Sequence, residues 1–362
     1  MTGLLSGLSL LSFIINISYL IWIYRGLKKI EDPFFSKNSM IRSYSVIIAA
    51  HNEEDNISSC LINLINQNYP KSNYEIIIIA DRCTDNTIQL VNQFKNKFTN
   101  LRLIEIHDVP TGLSSKKYAL NTAIKEAEYD YFVFLDADVV PTEDHLKIIN
   151  ECFNDDVQVV VSLMKLKLQD KFWQNFLRYE RLCNWAVAAG SIGNQTPIIS
   201  YGGNWAYTRQ DFDQVNGFEG IFQSLGGDDD LLLQKFGKKN LKVWLCTNPD
   251  GWVETHAPDS FQNFLQQRRR HSAAGKYYHF KFKIGYFLFH ISNLILWIIW
   301  PFFFPAFILL GLKIFINTKL LKLSGKIFKE HLNKYLIVIY EFLFLLYSEF
   351  VGILGLLGKI RW

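Results

Sequence analysis

Hydrophobic and polar positions divide the chain into three unequal parts. The first, Leu4 to Tyr24, runs 21 residues without a charge, about the length needed to cross a hydrocarbon core of roughly 30 Å at 1.5 Å per residue. The last, from Gly285 onward, is again dominated by apolar runs. Between them, short apolar runs alternate with segments of helical spacing. Tyr44–Ala50 (YSVIIAA) and Glu75–Ala80 (EIIIIA) are continuously apolar, as in parallel strands covered on both faces. Ile57, Leu61, Leu64 and Ile65 recur at helical intervals within Asp55–Asn68. Ile88, Val91 and Phe94 do the same after Thr84 or Asp85, either of which can cap a helix. Leu101–Ile106, a helix over Ser114–Ala127, a strand over Tyr131–Leu135 and a helix from Thr142 continue the order. This βαβαβαβ pattern predicts a doubly wound, parallel sheet whose ligands lie beyond the C-terminal strand ends.

The flanking apolar segments read as membrane elements. Arg25, Lys28 and Lys29 follow the first run directly, with no basic residue before it and no small-residue cleavage site after it. That charge order predicts an uncleaved anchor, an integral cell-membrane protein and a cytoplasmic domain behind the anchor. Gly285 to Leu312 is a second uncharged run, 28 residues long and interrupted by Pro301 and Pro305. It is either one tilted, kinked span or a re-entrant hairpin broken at Pro301. Lys313, Lys319, Lys322, Lys326, Lys329 and Lys334 then stand against Glu330 alone, which places this stretch on the cytoplasmic side and favours the hairpin or an interfacial helix. Tyr335 to Gly358 is the last apolar segment, and it contains Glu341 and Glu349. Such carboxylates either face protein or a polar cavity, or snorkel to the interface. The expected organisation is therefore an anchor over 1–24, an α/β domain over 42–280, a membrane helix or hairpin over 285–317, a lysine-rich interfacial segment over 318–334 and a C-terminal helix over 335–358.

Composition sharpens this division. With 49% hydrophobic and 20% charged residues and a mean hydropathy of +0.06, a wholly disordered chain is excluded. Residues 25–283 carry a net charge of −1, whereas residues 284–362 carry +5, out of a total of +4. The excess charge thus lies in the apolar C-terminal part, which argues against nucleic acid as the partner and for membrane lipids. The five cysteines lack a CxxC or a Cys/His cluster, so they read as reduced thiols rather than a disulfide frame or zinc site. There are too few spans in one copy for a transport pathway.

Chemistry is expected at the strand ends. The first strand leads into His51, Asn52, Glu53 and Glu54, the second into Asp81, and the fourth into Asp136, Ala137 and Asp138. Neither a GxGxxG after the first strand nor a P-loop is present, so polar acceptors, rather than glycines, would recognise a nucleoside by its base and ribose. Asp136 and Asp138 share a face in extended geometry and can approach one Mg²⁺ or Mn²⁺, although two acids at a strand end also describe a solvated loop. Asp228, Asp229 and Asp230 follow Gly226-Gly227 and precede Leu231–Leu233. They suit either the first turn of a helix or a general base whose pKa is raised by like charges. Arg268, Arg269 and Arg270 form a solvated or headgroup-facing run, or an arginine fork matched to a diphosphate. Tyr201-Gly202-Gly203-Asn204-Trp205 could be a binding wall or core packing around a turn.

Taken in order, HNEE, ADRCTDNT, SSKKYALN, DADVVP, GGNWAYTRQDF, GGDDDLLLQKF and QQRRRH resemble membrane-anchored glycosyltransferase family 2, in its cellulose synthase-like or N-acetylglucosaminyltransferase-type branch. The likeness covers about Tyr44 to Tyr278 plus the flanking membrane segments. It implies a GT-A fold, doubly wound around a mostly parallel sheet, with transmembrane helices at both ends. It also implies that Asp81 holds the uracil or ribose of a UDP-sugar, with His51, Asn52 and Glu53 completing the nucleoside pocket and Lys116 reaching the nucleotide. By the same likeness Asp136 and Asp138 hold a divalent metal on the diphosphate, Asp138 more directly. Gln267 and Arg270 meet the departing UDP. Asp229 is the base that deprotonates the acceptor hydroxyl, Asp228 or Asp230 tunes it, and the displacement inverts the anomeric centre. Gly203, Asn204, Trp205 and His271 fall on the acceptor side. The chain departs from the family's QxxRW at His271, where processive members place a tryptophan associated with the acceptor. This favours transfer of one sugar to a lipid or lipid-linked glycan acceptor. A processive polysaccharide synthase comes second, and a catalytically inactive nucleotide-sugar-binding scaffold is a further alternative against which the intact DxD, triple Asp and Arg270 speak.

Overall fold

A computed structural model describes residues 2–31, 40–154, 156–169, 171–258, 260–333 and 335–356. The first apolar run is one helix, α1 (Thr2–Glu31), which continues past Tyr24 to take in Lys28 and Lys29. The alternating region follows as β1 (Tyr44–Ala50), α2 (Ile57–Ile65), β2 (Tyr74–Asp81), α3 (Thr87–Lys95), β3 (Leu101–Ile106), α4 (Ser115–Glu126) and β4 (Tyr131–Asp136). Next come β5 (Val140–Pro141), α5 (His145–Cys152), β6 (Val159–Val161), β7 (Met164–Lys167), α6 (Phe172–Gly193), β8 (Asn204–Thr208), α7 (Arg209–Gln214) and α8 (Asp230–Lys238). The chain closes with β9 (Val243–Leu245), β10 (Val253–His256), α9 (Phe261–Ala274), α10 (Phe280–Ile299), α11 (Phe304–Phe328) and α12 (Ile337–Leu356). These elements form two compact units. One is an α/β unit from β1 to β7 and β8 to β10, and the other gathers α1, α6 and α9 to α12.

In the α/β unit a seven-stranded sheet has the order β3-β2-β1-β4-β8-β6-β9. The four strands of the alternating region are parallel throughout, as their apolar runs predict. Ile76 to Ile79 of β2 are wholly inaccessible, and burying each such side chain contributes about 1.5–3 kcal/mol. β8 is antiparallel to both β4 and β6, so the sheet is mostly parallel, as expected. Leu135 pairs with Asn204, so β8 starts where β4 ends and the glycines before it lie beside Asp136. A small second sheet has the order β5-β10-β7, and its β5 starts shortly after Asp138 in the chain. The helices start later than their patterns suggest, α2 at Ile57 and α5 at His145. In α3 the Asp85 carboxylate accepts the Thr87 N–H at 3.0 Å.

Gly285 to Leu312 is not one kinked span: it is the end of α10, a break at Trp300 to Phe303 and the start of α11, as Pro301 dictates. The second arm does not stop at Leu312. It runs to Phe328 and takes Lys313, Lys319, Lys322 and Lys326 into the helix, and Lys329 ends it in the left-handed region at φ 51°. Lys334, Leu357 and Gly358 lie outside the described residues. The segment containing α6, expected within the catalytic domain, belongs to the helical unit. There α6 crosses α1 at Gly26, Gly190 and Gly193, where any Cβ would overlap the facing backbone. Among the described residues four helices, α1, α10, α11 and α12, are long and apolar enough to cross a membrane.

Both carboxylates of the last apolar segment face protein. Glu349 meets His290 Nδ1 at 3.1 Å. Glu341, buried, is paired with the buried Lys313 and accepts from Asn317 Nδ2 at 3.2 Å. Lys313 also donates to Asn293 Oδ1 at 3.0 Å. One polar cluster therefore ties α10, α11 and α12 together. Removing one partner of a buried pair strands the other charge, at a cost of about 3–5 kcal/mol, whereas replacing both with apolar groups costs far less. Lys313→Met and Glu341→Leu are each expected to lower the thermal unfolding midpoint of the detergent-solubilised protein more than the double variant does. A double variant less stable than both singles would show that the pair itself, not the avoidance of a stranded charge, holds the helices.

Candidate active site

Parallel pairing brings the C-terminal ends of β1, β2 and β4 to one edge, with Ala50 opposite Ala80 and Ala49 opposite Asp136. The loops after β1 and β2 are sewn together there. Asn52 adopts φ 57°, a left-handed conformation that asparagine tolerates, and its Oδ1 accepts the Thr84 N–H at 2.8 Å. His51 Nδ1 lies 2.6 Å from the Asp81 carbonyl; because that oxygen only accepts, Nδ1 carries the proton. The Glu53 N–H donates to Thr87 Oγ1 at 2.8 Å and its carboxylate takes Asn56 Nδ2 at 2.9 Å. Burial, joined by the charges of Asp138 and Asp136, pushes Glu53 above the ordinary carboxylate range. Asp81 is buried and held in a fork by Arg82, at 2.8 and 3.0 Å.

The strand end of β4 supplies the densest negative charge. Asp138 Oδ2 accepts from Thr255 Oγ1 of β10 at 2.9 Å, and burial together with Asp136 raises its pKa. Lys116, in the first turn of α4, places Nζ 2.8 Å from Asp136 Oδ1 and 3.2 Å from Asp228 Oδ2. Burial opposes its charge, but Asp136 and Asp228 outweigh it and hold the ammonium above its usual range. Asp136 and Asp138 offer hard carboxylate oxygens, as Mg²⁺ and Mn²⁺ prefer, and such ions complete their shell from substrate phosphates and water. Among the described residues no cluster of three His, Cys, Asp or Glu is built to hold a metal by itself, so Asp136 and Asp138 fit only a cation shared with a ligand.

The three consecutive aspartates do different work. Asp230 Oδ1 accepts the Ser200 N–H at 2.7 Å. Asp229 accepts the Gly202 N–H through Oδ2 and the Asp230 N–H through Oδ1, each at 2.7 Å. Burial and the neighbouring Asp228 charge nevertheless lift Asp229 to about 6. Burial also acts on Asp228, but Lys116 and Lys117 reverse it and leave that carboxyl below its ordinary range. The pair is thus split into a permanent anion and a proton acceptor poised just below neutrality.

Of the expected residues, the α/β unit brings His51, Asn52, Glu53, Asp81, Lys116, Asp136, Asp138, Asp228, Asp229, Asp230 and Gly203 to its C-terminal strand edge. Gly203 is required by close approach, since a Cβ there would overlap Asp136 Oδ2 and Met164 Sδ. For Asn204 and Trp205 the core-packing alternative holds instead of a binding wall. Both are buried; Asn204 Nδ2 donates to the Leu163 and Gly251 carbonyls at 2.9 and 3.0 Å, and Trp205 packs on Tyr207 with ring centroids 4.7 Å apart. Gln267, Arg270 and His271 lie on α9, in the helical unit. Arg268 is buried against Glu180 at 2.8 Å, so one arginine of the run serves packing. Thr255 and Lys117 were not anticipated. Thr255 carries no sequence signal, but Lys117 falls at helical spacing with Leu120 and Ile124 on the buried face of α4.

The family described as Glycosyl transferase family 2 matches residues 45–215, and that described as Glycosyl transferase family group 2 matches residues 131–350. A poly(ribitol-phosphate) beta-glucosyltransferase of Bacillus spizizenii is 38% identical over 124 residues, 34% of this chain and 19% of that protein. The probable glycosyltransferase YdaM of Bacillus subtilis is 26% identical over 247 residues, 67% of this chain and 57% of its own. The chain thus spans less than two thirds of the length of these curated relatives. The solved structure of the mannosyltransferase PcManGT from Pyrobaculum calidifontis, in complex with GDP-Man and Mn²⁺, superposes with a TM-score of 0.62 at 17% identity, covering 96% of this chain and 99% of that one. It shares the fold, which is GT-A.

The three atoms that a Cβ on Gly203 would strike, Asp136 Oδ2 and Cγ and Met164 Sδ, all belong to side chains, so Gly203→Ala moves the Asp136 carboxylate rather than the backbone. We expect an unfolding midpoint close to wild type and a sugar-transfer rate down by roughly 10- to 100-fold, as for misplacements of about 1 Å. Gly202→Ala, whose Cβ would meet Asp228 and Asp229 at 3.1 Å, should lose less. Wild-type turnover in Gly203→Ala would sink the claim that this contact sets Asp136.

Proposed function

Since this chain belongs to the glycosyl transferase family group 2, we propose that it moves one sugar from a UDP-sugar to a hydroxyl of a lipid or lipid-linked glycan acceptor at the cytoplasmic face of a membrane. The observation that carries this reading is the Lys116 ammonium set between Asp136 and Asp228, which joins the strand-end carboxylates to the triple aspartate in one charged site. The four apolar helices support a membrane-held enzyme. The Pyrobaculum mannosyltransferase, bound to GDP-Man and Mn²⁺, supports a nucleotide-sugar donor and a divalent cation.

In this reading His51, Asn52, Glu53 and Asp81 receive the nucleoside at the tied β1 and β2 loops. Asp136 and Asp138 would hold Mg²⁺ or Mn²⁺, which when bound supplies Lewis-acid stabilisation of the diphosphate. Lys116 adds a second positive charge beside it. Asp229, pinned by two backbone N–H groups, takes the proton of the acceptor hydroxyl as that oxygen attacks the anomeric carbon and the sugar–phosphate bond breaks, inverting the centre. Asp228 stays ionised and keeps Asp229 basic, while Asp230 fixes the Ser200 segment. Gly203 is assigned to the acceptor side. Elongation of a polymer is the second reading, favoured by the poly(ribitol-phosphate) acceptor in the name of the Bacillus spizizenii relative.

The deciding experiment offers a panel of labelled UDP-sugars, with GDP-mannose as comparison, to membranes containing the protein and Mg²⁺ or Mn²⁺, followed by solvent extraction. Label in the lipid phase from a UDP-sugar is expected; label in high-mass polymer supports the second reading, and transfer from GDP-mannose alone refutes the UDP assignment. Asp229→Asn should retain donor binding and lose about 10²- to 10⁴-fold in rate. Because only ionised Asp229 accepts a proton and its pKa is about 6, the wild-type rate should fall tenfold per unit below pH about 6, and this acid limb should end near neutrality. Full activity of the wild type at pH 5 would count against Asp229 as the base.

A further inference from the structure

Lys117 has no solvent exposure at all, which is unusual for an ammonium and costly unless its protons are met. They are met by backbone rather than by carboxylates. Nζ donates to the Ser224 carbonyl at 2.5 Å and to the Gly226 carbonyl at 2.8 Å. The same short stretch is gripped at further points. The Ser114 N–H donates to the Phe222 carbonyl at 2.8 Å, Ser224 Oγ donates to the Gly226 carbonyl at 2.7 Å, and Lys116 reaches Asp228. The start of α4 therefore holds the chain from Phe222 to Asp228. Immediately after Gly226 the backbone turns through Gly227 at φ 73° and delivers Asp228 and Asp229. An apolar residue would fill the site at lower desolvation cost but would leave the buried Ser224 carbonyl without this donor and the Gly226 carbonyl with Ser224 Oγ in place of two donors.

We propose that Lys117 is a positioning residue for sugar transfer: by fixing the Ser224 and Gly226 carbonyls it sets where Asp228 and Asp229 stand against the acceptor hydroxyl. This rests on the assignment of Asp229 as the base. Lys117 touches neither the strand-end carboxylates nor any group placed on the donor, so its influence falls on turnover and not on donor affinity. It also has a pH signature. Burial depresses Lys117 to about 8; the charges facing it are Asp228 and Asp229, which favour its proton, and Lys116, which opposes it. Because the pKa is lowered, the ammonium is present below pH about 8 and lost above it. The neutral amine keeps N–H donors but loses the charge that strengthens them. Activity should thus decline on the alkaline side near pH 8, separately from the acid limb of Asp229.

The test compares full-length wild type, Lys117→Gln and Asp229→Asn in membranes. Lys117→Gln keeps N–H donors without the charge. It is expected to hold the unfolding midpoint and donor KM near wild type, lower kcat by about 10- to 100-fold and lose the alkaline limb. An unchanged kcat, or a raised donor KM at constant kcat, overturns the proposal. If Lys117→Gln does not fold, wild type decides alone, and a flat rate between pH 7 and 9 overturns it. Asp229→Asn separates the two claims. Full activity there refutes the base assignment, whereas its inactivation beside a wild-type-like Lys117→Gln refutes only the role of Lys117.

Discussion

Negative charge crowded at the end of β4 is the constraint around which the α/β unit is arranged. Asp136, Asp138, Asp228 and Asp229 come together where the interior dielectric is low, and like charges there repel by several kcal/mol unless a cation intervenes. Lys116 is that cation, at 2.8 and 3.2 Å from two of them. Its placement depends on α4 starting beside the β4 edge, which follows from the crossover between parallel β3 and β4. It depends equally on β8, whose antiparallel entry opposite Leu135 sets Gly203 against Asp136 and lets the Gly202 N–H anchor Asp229. The fold supplies several independent supports to a single charged site. Donor phosphates and a divalent cation would exploit the same field, since a ligand carrying both charges can enter without leaving an uncompensated ion.

In the helical unit the same physics takes another form. Lys313 with Glu341, and Arg268 with Glu180, are ion pairs whose members are all under a tenth exposed. Pairs of this kind add little stability over apolar packing, but a wrong helix register would strand their charges. They therefore discriminate among arrangements of the helices that they join. The glycine crossing of α1 and α6 does this sterically, because only Gly26, Gly190 and Gly193 allow that approach.

The parallel strands were legible because an uninterrupted apolar run such as Tyr44–Ala50 has no other economical fate than a doubly covered sheet. Strand-end carboxylates were legible for the same reason, since topology fixes which end of a parallel sheet binds ligands. Direction was hidden in β8: NWAYT reads alike in either sense, and its orientation is set by pairing with β4, some seventy residues earlier in the chain. Its Trp205 looked like a binding aromatic because side-chain type does not report which face of a strand is covered. The helix α6 escaped assignment because Arg178, Glu180 and Arg181 interrupt its apolar face. Their sense appears only with Glu330 and Arg268, which pair with the first two from far along the chain. Pro301 announced the break between α10 and α11. The continuation of α11 through four lysines did not announce itself, since Lys313 is satisfied by residues on other helices.

Two adjacent lysines show how much of the site is a matter of helical phase. Residues 116 and 117 differ by about 100° around the α4 axis, and that rotation separates their surroundings completely. Lys116 retains 23% exposure and meets carboxylates, whereas Lys117 has none and meets carbonyls. The first ammonium is held protonated by the anions around it, and the second is weakened by burial. A shift of α4 by one residue would put either Ser115 between Asp136 and Asp228, leaving them to repel, or Tyr118 under the Ser224 to Asp228 segment in place of its ammonium donor. The position of that helix is therefore fixed twice over by the chemistry it serves, through a charge it must neutralise and a loop it must hold.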